Sequence, residues 1–367
     1  MAENKKLTKA IILLITYDCN LKCSYCYEPQ KAHRKMSANA AKRVLMRTID
    51  GLDDTYDSVI VQFMGGEPLL HFDLIKEVCE WLWRLDLKVK VRNVHAPTNG
   101  TVLTLDMKEW LVRNKDRFTL ALSFDGNRLM QNINRTNSAS GIDVDFFATV
   151  FPDVAIKMTL SPDTIGHFYE GYRYLHEQGF HEIGPSLAIG DNIGWTKEHL
   201  NTMRKQLDLL IQYFLDNPDV RRVGNFALPV WNILDKDSPD LACRVGRDIV
   251  CYDCDEKPYP CHIFSPIAMD AGKSALSTEL DFEAVRMSPS PCISCVLNKV
   301  CSRCFGINYR DRGDCMQPSP FDCAQFKIFF FANCKLQLLM AYKNNDKFMA
   351  DLIHRVIKII SKNKQTN

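Results

Sequence analysis

Three cysteines, Cys19, Cys23 and Cys26, fall on one short stretch at spacings of x3 and x2. Three thiolates on one loop can hold three irons of a 4Fe–4S cube. The fourth iron then lacks a protein ligand and can bind a substrate or cofactor, whereas a cluster with four cysteine ligands is built to transfer electrons. A zinc ion with a fourth ligand from elsewhere is the alternative. Ten of the 15 cysteines fall between Cys243 and Cys323, among them Cys292-x2-Cys295-x5-Cys301-x2-Cys304. Paired Cys-x2-Cys units also make zinc knuckles, but the five-residue gap is shorter than the roughly 15–20 residues of that pattern. No cysteine lies between Cys79 and Cys243. A disulfide scaffold would be short and cysteine-dense throughout, so metal ligation is the better reading of both groups.

The elements that must position these thiols are legible as alternating short apolar runs and amphipathic stretches. The patterns predict strands at Ile11–Thr16, Ser58–Phe63, Val89–His95, Thr119–Ser123, Val154–Leu160 and Glu182–Ala188. Helices are predicted over Ala38–Ile49, Phe72–Arg84, Leu105–Asn114, Tyr169–Gln178 and Thr196–Leu215. Such alternation argues for parallel βαβ units. Asp125–Phe147 is polar and lacks clear periodicity, so it reads as a loop region with room for a short helix. After about Asp216 the character changes: Asn217-Pro218, Pro229, Pro239 and the cysteine cluster point to a second domain with little regular structure. Phe321–Tyr342 and Lys347–Ile360 again read as helices, the latter packing on the barrel through Leu352, Ile353, Val356, Ile357 and Ile360. Cys79 and Cys334 sit in helical patterns as buried free thiols.

The 367 residues carry 46 basic and 44 acidic side chains, a net charge of +2, and 46% are hydrophobic. Nothing in that balance points to nucleic acid. Lys5, Lys6 and Lys9 precede the apolar run Ala10–Ile15, but Asp18, Lys22 and the cysteines follow without a cleavage site. No run approaches the roughly 18–20 apolar residues of a membrane span. The expectation is a cytoplasmic protein with reduced thiols and no membrane partner.

Cys-x3-Cys-x2-Cys with Tyr25 before the last cysteine resembles the radical S-adenosylmethionine superfamily. Further matches fall at the ends of successive predicted strands: Met64-Gly65-Gly66-Glu67-Pro68-Leu69, Pro97-Thr98-Asn99-Gly100 and Ser123-Phe124-Asp125-Gly126. In a parallel β/α barrel the strand C-termini share one face, so these motifs converge. The resemblance implies a partial (β/α)6 TIM-like barrel, a 4Fe–4S cluster on Cys19, Cys23 and Cys26, and S-adenosylmethionine chelating its open iron. It also implies that the turn at Gly65 and Gly66 receives the cofactor's amino group, with Glu67 offsetting its charge. Gly65 and Gly66, which have no Cβ, let the backbone approach such a ligand. Tyr25 is expected near the adenine, and Ser123 and Asp125 at the cofactor's polar groups.

The later cysteines resemble the SPASM extension of radical enzymes, which binds two auxiliary clusters. By that resemblance Cys243, Cys261 and Cys304 hold one, and Cys292, Cys295, Cys301 and Cys323 the other. Glu256 stands where the pattern has glycine, five before Cys261, and the last short spacing is x2 in place of x3. Cys251 or Cys254 is a candidate to complete the three-ligand cluster, and Cys315 is left over. The implied domains are residues 1–225 for the barrel, 226–345 for SPASM and 346–367 for a C-terminal helix and tail.

The implied reaction begins with one-electron cleavage of S-adenosylmethionine to a 5′-deoxyadenosyl radical, which abstracts hydrogen from an unactivated carbon. An auxiliary cluster then accepts the electron left on the substrate. SPASM enzymes mostly modify ribosomally made peptides, so the partners implied are a precursor peptide and a reductant such as flavodoxin or ferredoxin. The first strand starts near residue 10 with no leader-binding domain before it, which calls for a separate recognition protein or a direct groove. Anaerobic sulfatase maturases, which make formylglycine, share these motifs. They carry an aspartate base after Tyr-Pro-Cys, where this chain has His262. Tyr259-Pro260-Cys261-His262 looks more like peptide maturases that form thioether or carbon–carbon cross-links.

Three 4Fe–4S clusters correspond to about 12 irons per chain. Replacing Cys19, Cys23 and Cys26 together by alanine is expected to remove about four of them and all production of 5′-deoxyadenosine, measured by iron analysis and chromatography after anaerobic reconstitution.

Overall fold

The computed structural model describes residues 6–235 and 243–363. Lys5 and Pro239 lie outside the described residues. Two compact units interleave along the chain. One takes the residues up to Ser123, then Ser138–Val154 and Arg244–Val285; the other takes Phe124–Asn137, Ala155–Cys243 and the residues from Arg286 onward.

The first unit is built on a parallel sheet. β1 (Leu7–Thr16), β2 (Tyr56–Gly65), β3 (Lys90–Thr98) and β4 (Thr119–Leu122) lie side by side in the order β4-β3-β2-β1. The run Ile11–Ile15 is almost wholly inaccessible to solvent, as a central parallel strand covered on both faces requires. Helix Ala38–Asp50 starts where the Ser37 hydroxyl accepts from the Ala40 amide, and it buries Ala40, Ala41, Val44, Leu45 and Ile49 on one face. Helices Phe72–Leu82 and Leu105–Asn114 follow β2 and β3.

In the second unit β5 (Ile156–Leu160) and β6 (Ile183–Leu187) form a two-stranded parallel sheet joined through helix Phe168–Glu177. Phe168, Tyr172, Phe214, Phe226 and Phe329 pack ring on ring, drawing in helices Lys197–Asp216 and Pro320–Lys343. The last helix, Lys347–Lys362, buries Ile353, Val356 and Ile360 against Leu297, Val300 and Phe330. Its apolar face thus meets the cysteine-rich segment and the preceding helix, where the sequence pointed to the barrel. Cys79 and Cys334 are buried. Among the described residues no helix is long and apolar enough to cross a membrane.

The sheet of the first unit continues with residues from far along the chain. β7 (Ile249–Tyr252) pairs in parallel with β1, Ala10 opposite Ile249 and Ile12 opposite Cys251. β8 (Pro258–Tyr259) closes an antiparallel hairpin on it. The hairpin turn puts Glu256 at φ +63°. Glu256, which stands where the resembled pattern has glycine, thus takes the left-handed conformation that glycine favours, with its carboxylate on Arg43.

Asp125–Phe147 differs from its polar, aperiodic reading. It holds two capped helices, Arg128–Asn134 behind Asn127 and Val144–Val150 behind Asp143. The apolar period is hidden because the first helix turns Gln131 and Asn134 inward, both fully buried. The cysteine-rich region also holds more regular structure than its composition suggested, including β7, β8 and the helix Phe305–Arg312.

A non-glycine residue held in the left-handed region costs roughly 1–2 kcal/mol. Glu256→Gly is expected to leave stability nearly unchanged, because it trades the surface contact with Arg43 for backbone ease. Glu256→Val, branched at Cβ, is expected to lose ~1–2 kcal/mol in denaturant unfolding.

Candidate active site

The loop after β1 carries Cys19, Cys23 and Cys26, all half-buried. It is folded by its own backbone: the Cys26 amide donates to the Cys23 carbonyl at 3.2 Å, and the Cys26 thiol points to the Glu28 carbonyl at 3.6 Å. Burial pushes the Cys19 thiol up, while the Leu21 amide and the Lys31 ammonium pull it down. Burial draws Lys31 down, but Glu28, Cys26 and Cys19 together hold it above its ordinary value. One fixed cation therefore faces two of the three thiols, as a site that must hold thiolates requires.

The end of β2 locks this loop. The Gly66 amide donates to the Thr16 carbonyl at 3.1 Å and the Glu67 amide to the Asp18 carbonyl at 2.8 Å. A Cβ on Gly65, which sits at φ +134°, would lie 1.9 Å from the Thr16 oxygen, and one on Gly66 would lie 2.1 Å from the Asp18 oxygen. The close approach that needs glycine here is to the cysteine loop itself. Glu67 is 1% exposed. Its Oε1 accepts from the Leu69 amide at 3.0 Å and the Thr98 hydroxyl at 2.7 Å, and its Oε2 accepts from the Asn99 amide at 2.7 Å. Asn99 Nδ2 in turn donates to Asn20 Oδ1 at 2.9 Å, so β3 also grips the loop. Tyr25 is half-buried on the same loop. Tyr27 packs on His262, ring centroids 5.6 Å apart.

Ser123 is half-buried, and its amide donates to the Thr98 carbonyl at 2.8 Å. Asp125 is fully buried in the second unit, and both of its oxygens are engaged. Oδ2 accepts from Arg135 Nε at 3.0 Å and Asn134 Nδ2 at 3.1 Å, and Oδ1 accepts from the Thr159 amide at 2.9 Å. Its carboxylate ties a turn to a helix and to β5.

The later cysteines divide by unit. Cys251 and Cys261 belong to the first. Cys251 is fully buried beside Ile12, Leu14, Tyr17 and Met64, and its thiol is driven up by burial first and by nearby Cys261 second. Cys254 lies past the end of β7 and donates to the Leu14 carbonyl at 3.2 Å, with burial pushing its thiol up to about 12. In the second unit Cys292, Cys295, Cys301 and Cys323 line one cavity of about 250 Å³, with Cys304 at its wall. Burial pushes Cys301 up to about 12, against the pull of Arg303. Cys304 caps helix Phe305–Arg312, and burial raises it to about 11 with Cys243 adding to the rise. Cys315, unassigned from spacing, is buried and within electrostatic reach of Cys304. Its signal was only the cysteine itself, since no short spacing links it to the others.

Among the described residues no three Cys, His, Asp or Glu side chains are gathered as ligands of a single ion. A cubane asks for something different, because each cysteine ligates its own iron. Half-buried thiols on a loop held by glycines, with Lys31 alongside, fit such a group. So does a cavity lined by five thiols, enough for a fully ligated cluster.

Residues 13–144 match the radical SAM superfamily. Over 73 residues the chain is 40% identical to the uncharacterized protein MJ0907 of Methanocaldococcus jannaschii, covering 20% of this chain and 24% of that protein. Over 235 residues it is 24% identical to the radical SAM cyclopropyl synthase TigE of Paramaledivibacter caminithermalis, 59% of this chain and 48% of that one. The chain thus spans less than half the length of either relative. It is 22% identical over 289 residues to a cysteine-type anaerobic sulfatase-maturating enzyme of Clostridium novyi, 70% of this chain and 74% of that enzyme. Among solved structures, histidine-tagged anSMEcpe with bound AdoMet superposes with a TM-score of 0.70 at 19% identity, over 95% of this chain and 98% of that one. Streptococcus suis SuiB bound to precursor peptide SuiA gives 0.60 at 16% identity, over 87% and 76%. At these identities the structural likeness is one of fold: a mixed α/β parallel-sheet core followed by a C-terminal domain.

Gly66→Ala is expected to destabilise by ~3 kcal/mol or more, since backbone and not a flexible side chain fills the space. It is also expected to lower iron retention, both read on the reconstituted protein. Asp125→Asn turns a donor toward Arg135 and Asn134. It is expected to lose ~3 kcal/mol or more of stability while the folded fraction keeps its iron, measured by unfolding and iron analysis.

Proposed function

We propose that this chain, whose residues 13–144 match the radical SAM superfamily, is a radical SAM enzyme that oxidatively modifies a ribosomally made peptide, forming a thioether or carbon–carbon cross-link. Cys19, Cys23 and Cys26 would hold the 4Fe–4S cluster that binds S-adenosylmethionine, with Tyr25, Gly65, Gly66, Glu67 and Ser123 around the cofactor. That pair supplies radical hydrogen abstraction when bound; the protein supplies position and protection. Glu67 and Asn99 keep the cysteine loop in register with β2 and β3, and Lys31 offsets thiolate charge. The Asp125 carboxylate acts in this proposal as a fixed tie within the second unit and not as a cofactor ligand.

The observation that carries the reading is the presence, in one chain, of two separate thiol sites of different make. The first has three cysteines on a loop after a barrel strand. The second has five lining a cavity, with Cys292, Cys295, Cys301 and Cys323 proposed as one cluster's ligands. A site with an open iron suits cofactor cleavage, and a fully ligated one suits electron acceptance, which an oxidative modification needs. Cys243, Cys261 and Cys304 are proposed for a third cluster, as the resemblance to the SPASM extension implies, with Cys251 or Cys254 as candidate to complete its ligands. The peptide substrate draws on the neighbours of like fold: anSMEcpe is also solved with AdoMet and the Cp18Cys peptide, and SuiB with its precursor peptide. A flavodoxin or ferredoxin would deliver the electron.

Formylglycine formation is the second reading, favoured by the likeness to the sulfatase-maturating enzyme. It needs a base for the O–H or S–H proton of the substrate. His262 stands where those enzymes place an aspartate, and an imidazole can accept a proton near neutral pH. Cross-linking is preferred because it does not demand a carboxylate at that place.

Two measurements check the proposal. The reduced, reconstituted protein is expected to produce 5′-deoxyadenosine from S-adenosylmethionine; no product would sink the enzyme reading of the three-cysteine loop. Mass spectrometry of a candidate peptide after turnover is expected to show loss of two hydrogens with sulfur retained. A product that reacts with a hydrazine probe, marking an aldehyde, would instead establish formylglycine chemistry.

A further inference from the structure

The cysteine-lined cavity of the second unit holds two buried donors that its own chain leaves without partners. Gln325 lies on helix Pro320–Lys343, two residues beyond Cys323, and is 2% exposed. Its Nε2 is buried without a hydrogen-bond partner. Arg303 lies between Cys301 and Cys304, and its Nε is buried and unpartnered in the same way. Both side chains line the cavity. Arg303 also rests its guanidinium over the Phe305 ring at 5.5 Å, which fixes where the group can aim. Its positive charge acts on two of the thiols, Cys292 and Cys301.

Buried donors are almost always satisfied in folded proteins, because leaving one unpaired forfeits its hydration with nothing in return. Two unpaired donors on the wall of one cavity therefore call for an acceptor inside it. The cavity walls offer thiols, which are weak acceptors until they lose their protons, and apolar surface from Leu297, Phe326 and Phe329. Asn298 on the same wall has a buried, unpartnered Oδ1, an acceptor that asks for a donor of its own. An anionic acceptor with several sulfurs answers both donors, Gln325 and Arg303, at once.

We propose that Gln325 Nε2 and Arg303 Nε donate hydrogen bonds to the sulfurs of an iron–sulfur cluster held by Cys292, Cys295, Cys301 and Cys323, and thereby raise its reduction potential. This rests on the reading of that cavity as a cluster site. The physical reason is charge. Reduction adds an electron to an already anionic group, and N–H donors stabilise the more negative state more than the less negative one. Gln325 and Arg303 touch the cluster's sulfurs in this scheme and set how readily it accepts an electron, without meeting the peptide.

The test uses the full chain, reconstituted anaerobically, with Gln325→Met and Arg303→Met as variants that keep volume and remove the donors. Both are expected to retain wild-type iron. In titrations followed by electron paramagnetic resonance, one cluster signal should shift to lower potential while the others stay. For Arg303→Met the expected change in the reduced-to-oxidised ratio at fixed potential is about tenfold, or ~59 mV for a one-electron couple. For Gln325→Met it is about threefold, by analogy with a weaker, neutral donor. A variant with full iron and an unmoved signal overturns the proposal.

A wild-type measurement does not depend on how the variants fold. In protein labelled with 15N-arginine or 15N-glutamine, electron–nuclear double resonance on the reduced cluster is expected to show 15N coupling from each label. Absence of both couplings overturns the proposal. The double variant Cys292→Ala/Cys301→Ala separates this from the cluster reading itself. Unchanged iron and unchanged signals there would mean that the cavity holds no cluster, whereas lost iron with unshifted donor variants would mean that the cluster is present but not tuned by these donors.

Discussion

Two glycines at the end of β2 let one backbone run against another with no side chain between them. Gly65 and Gly66 lie against the Thr16 and Asp18 carbonyls in space that any Cβ would fill, and the Gly66 and Glu67 amides donate to those same oxygens. The loop that follows β1 is the one that carries Cys19, Cys23 and Cys26. Its path is thus fixed by β2 before any ligand arrives. Glu67 extends the constraint, since its buried carboxylate accepts from groups at the end of β3, and Asn99 returns the connection to Asn20 on the loop. Three strand ends and one loop form a closed circuit of hydrogen bonds. A carboxylate buried in this way holds its place only because the bonds it accepts are supplied locally.

The second unit solves a related problem with different means. Its cysteines are buried enough that several thiols resist ionisation, Cys301 and Cys304 among them. A thiol in apolar surroundings is inert until a positive partner draws off its proton. Arg303 supplies part of that pull, and iron would supply the rest, since binding metal and losing the proton are one coupled event. Burial therefore favours the protonated thiol at these positions until such a partner is bound. Long helices anchor the arrangement, because Cys323 and Gln325 ride on Pro320–Lys343, whose Phe329 joins the aromatic cluster around Phe226.

Asp125 shows how one motif can serve two ends. Its sequence context, Ser-x-Asp-Gly after a strand, marks it as a polar residue at the mouth of a barrel. In the folded chain its two oxygens are engaged by Arg135, Asn134 and the Thr159 amide. Gln131 and Asn134 turn inward to complete that network. The same inward turn is what removed the apolar period from the segment and made a capped helix read as loop.

Local features were legible from the residues alone. The spacing of Cys19, Cys23 and Cys26 places three thiols on one loop whatever the rest of the chain does. Continuous apolar runs gave the central strands, and the 3.6-residue period gave Leu105–Asn114 to the residue and most other helices to within a few. The side-chain oxygens of Ser37, Thr104 and Thr196 cap three of those helices in the fold. What the sequence could not reveal is non-local. Ile249–Tyr252 joins β1 across some 240 residues of chain, because parallel pairing carries no turn signal to announce it. Cys315 lies near Cys304, and Cys251 near Cys261, through packing that no short spacing encodes. Glycine at 65 and 66 could be read as room for a ligand. Only the tertiary structure shows that the side each missing Cβ would occupy faces the cysteine loop, because which backbone lies there depends on where two strands end in space.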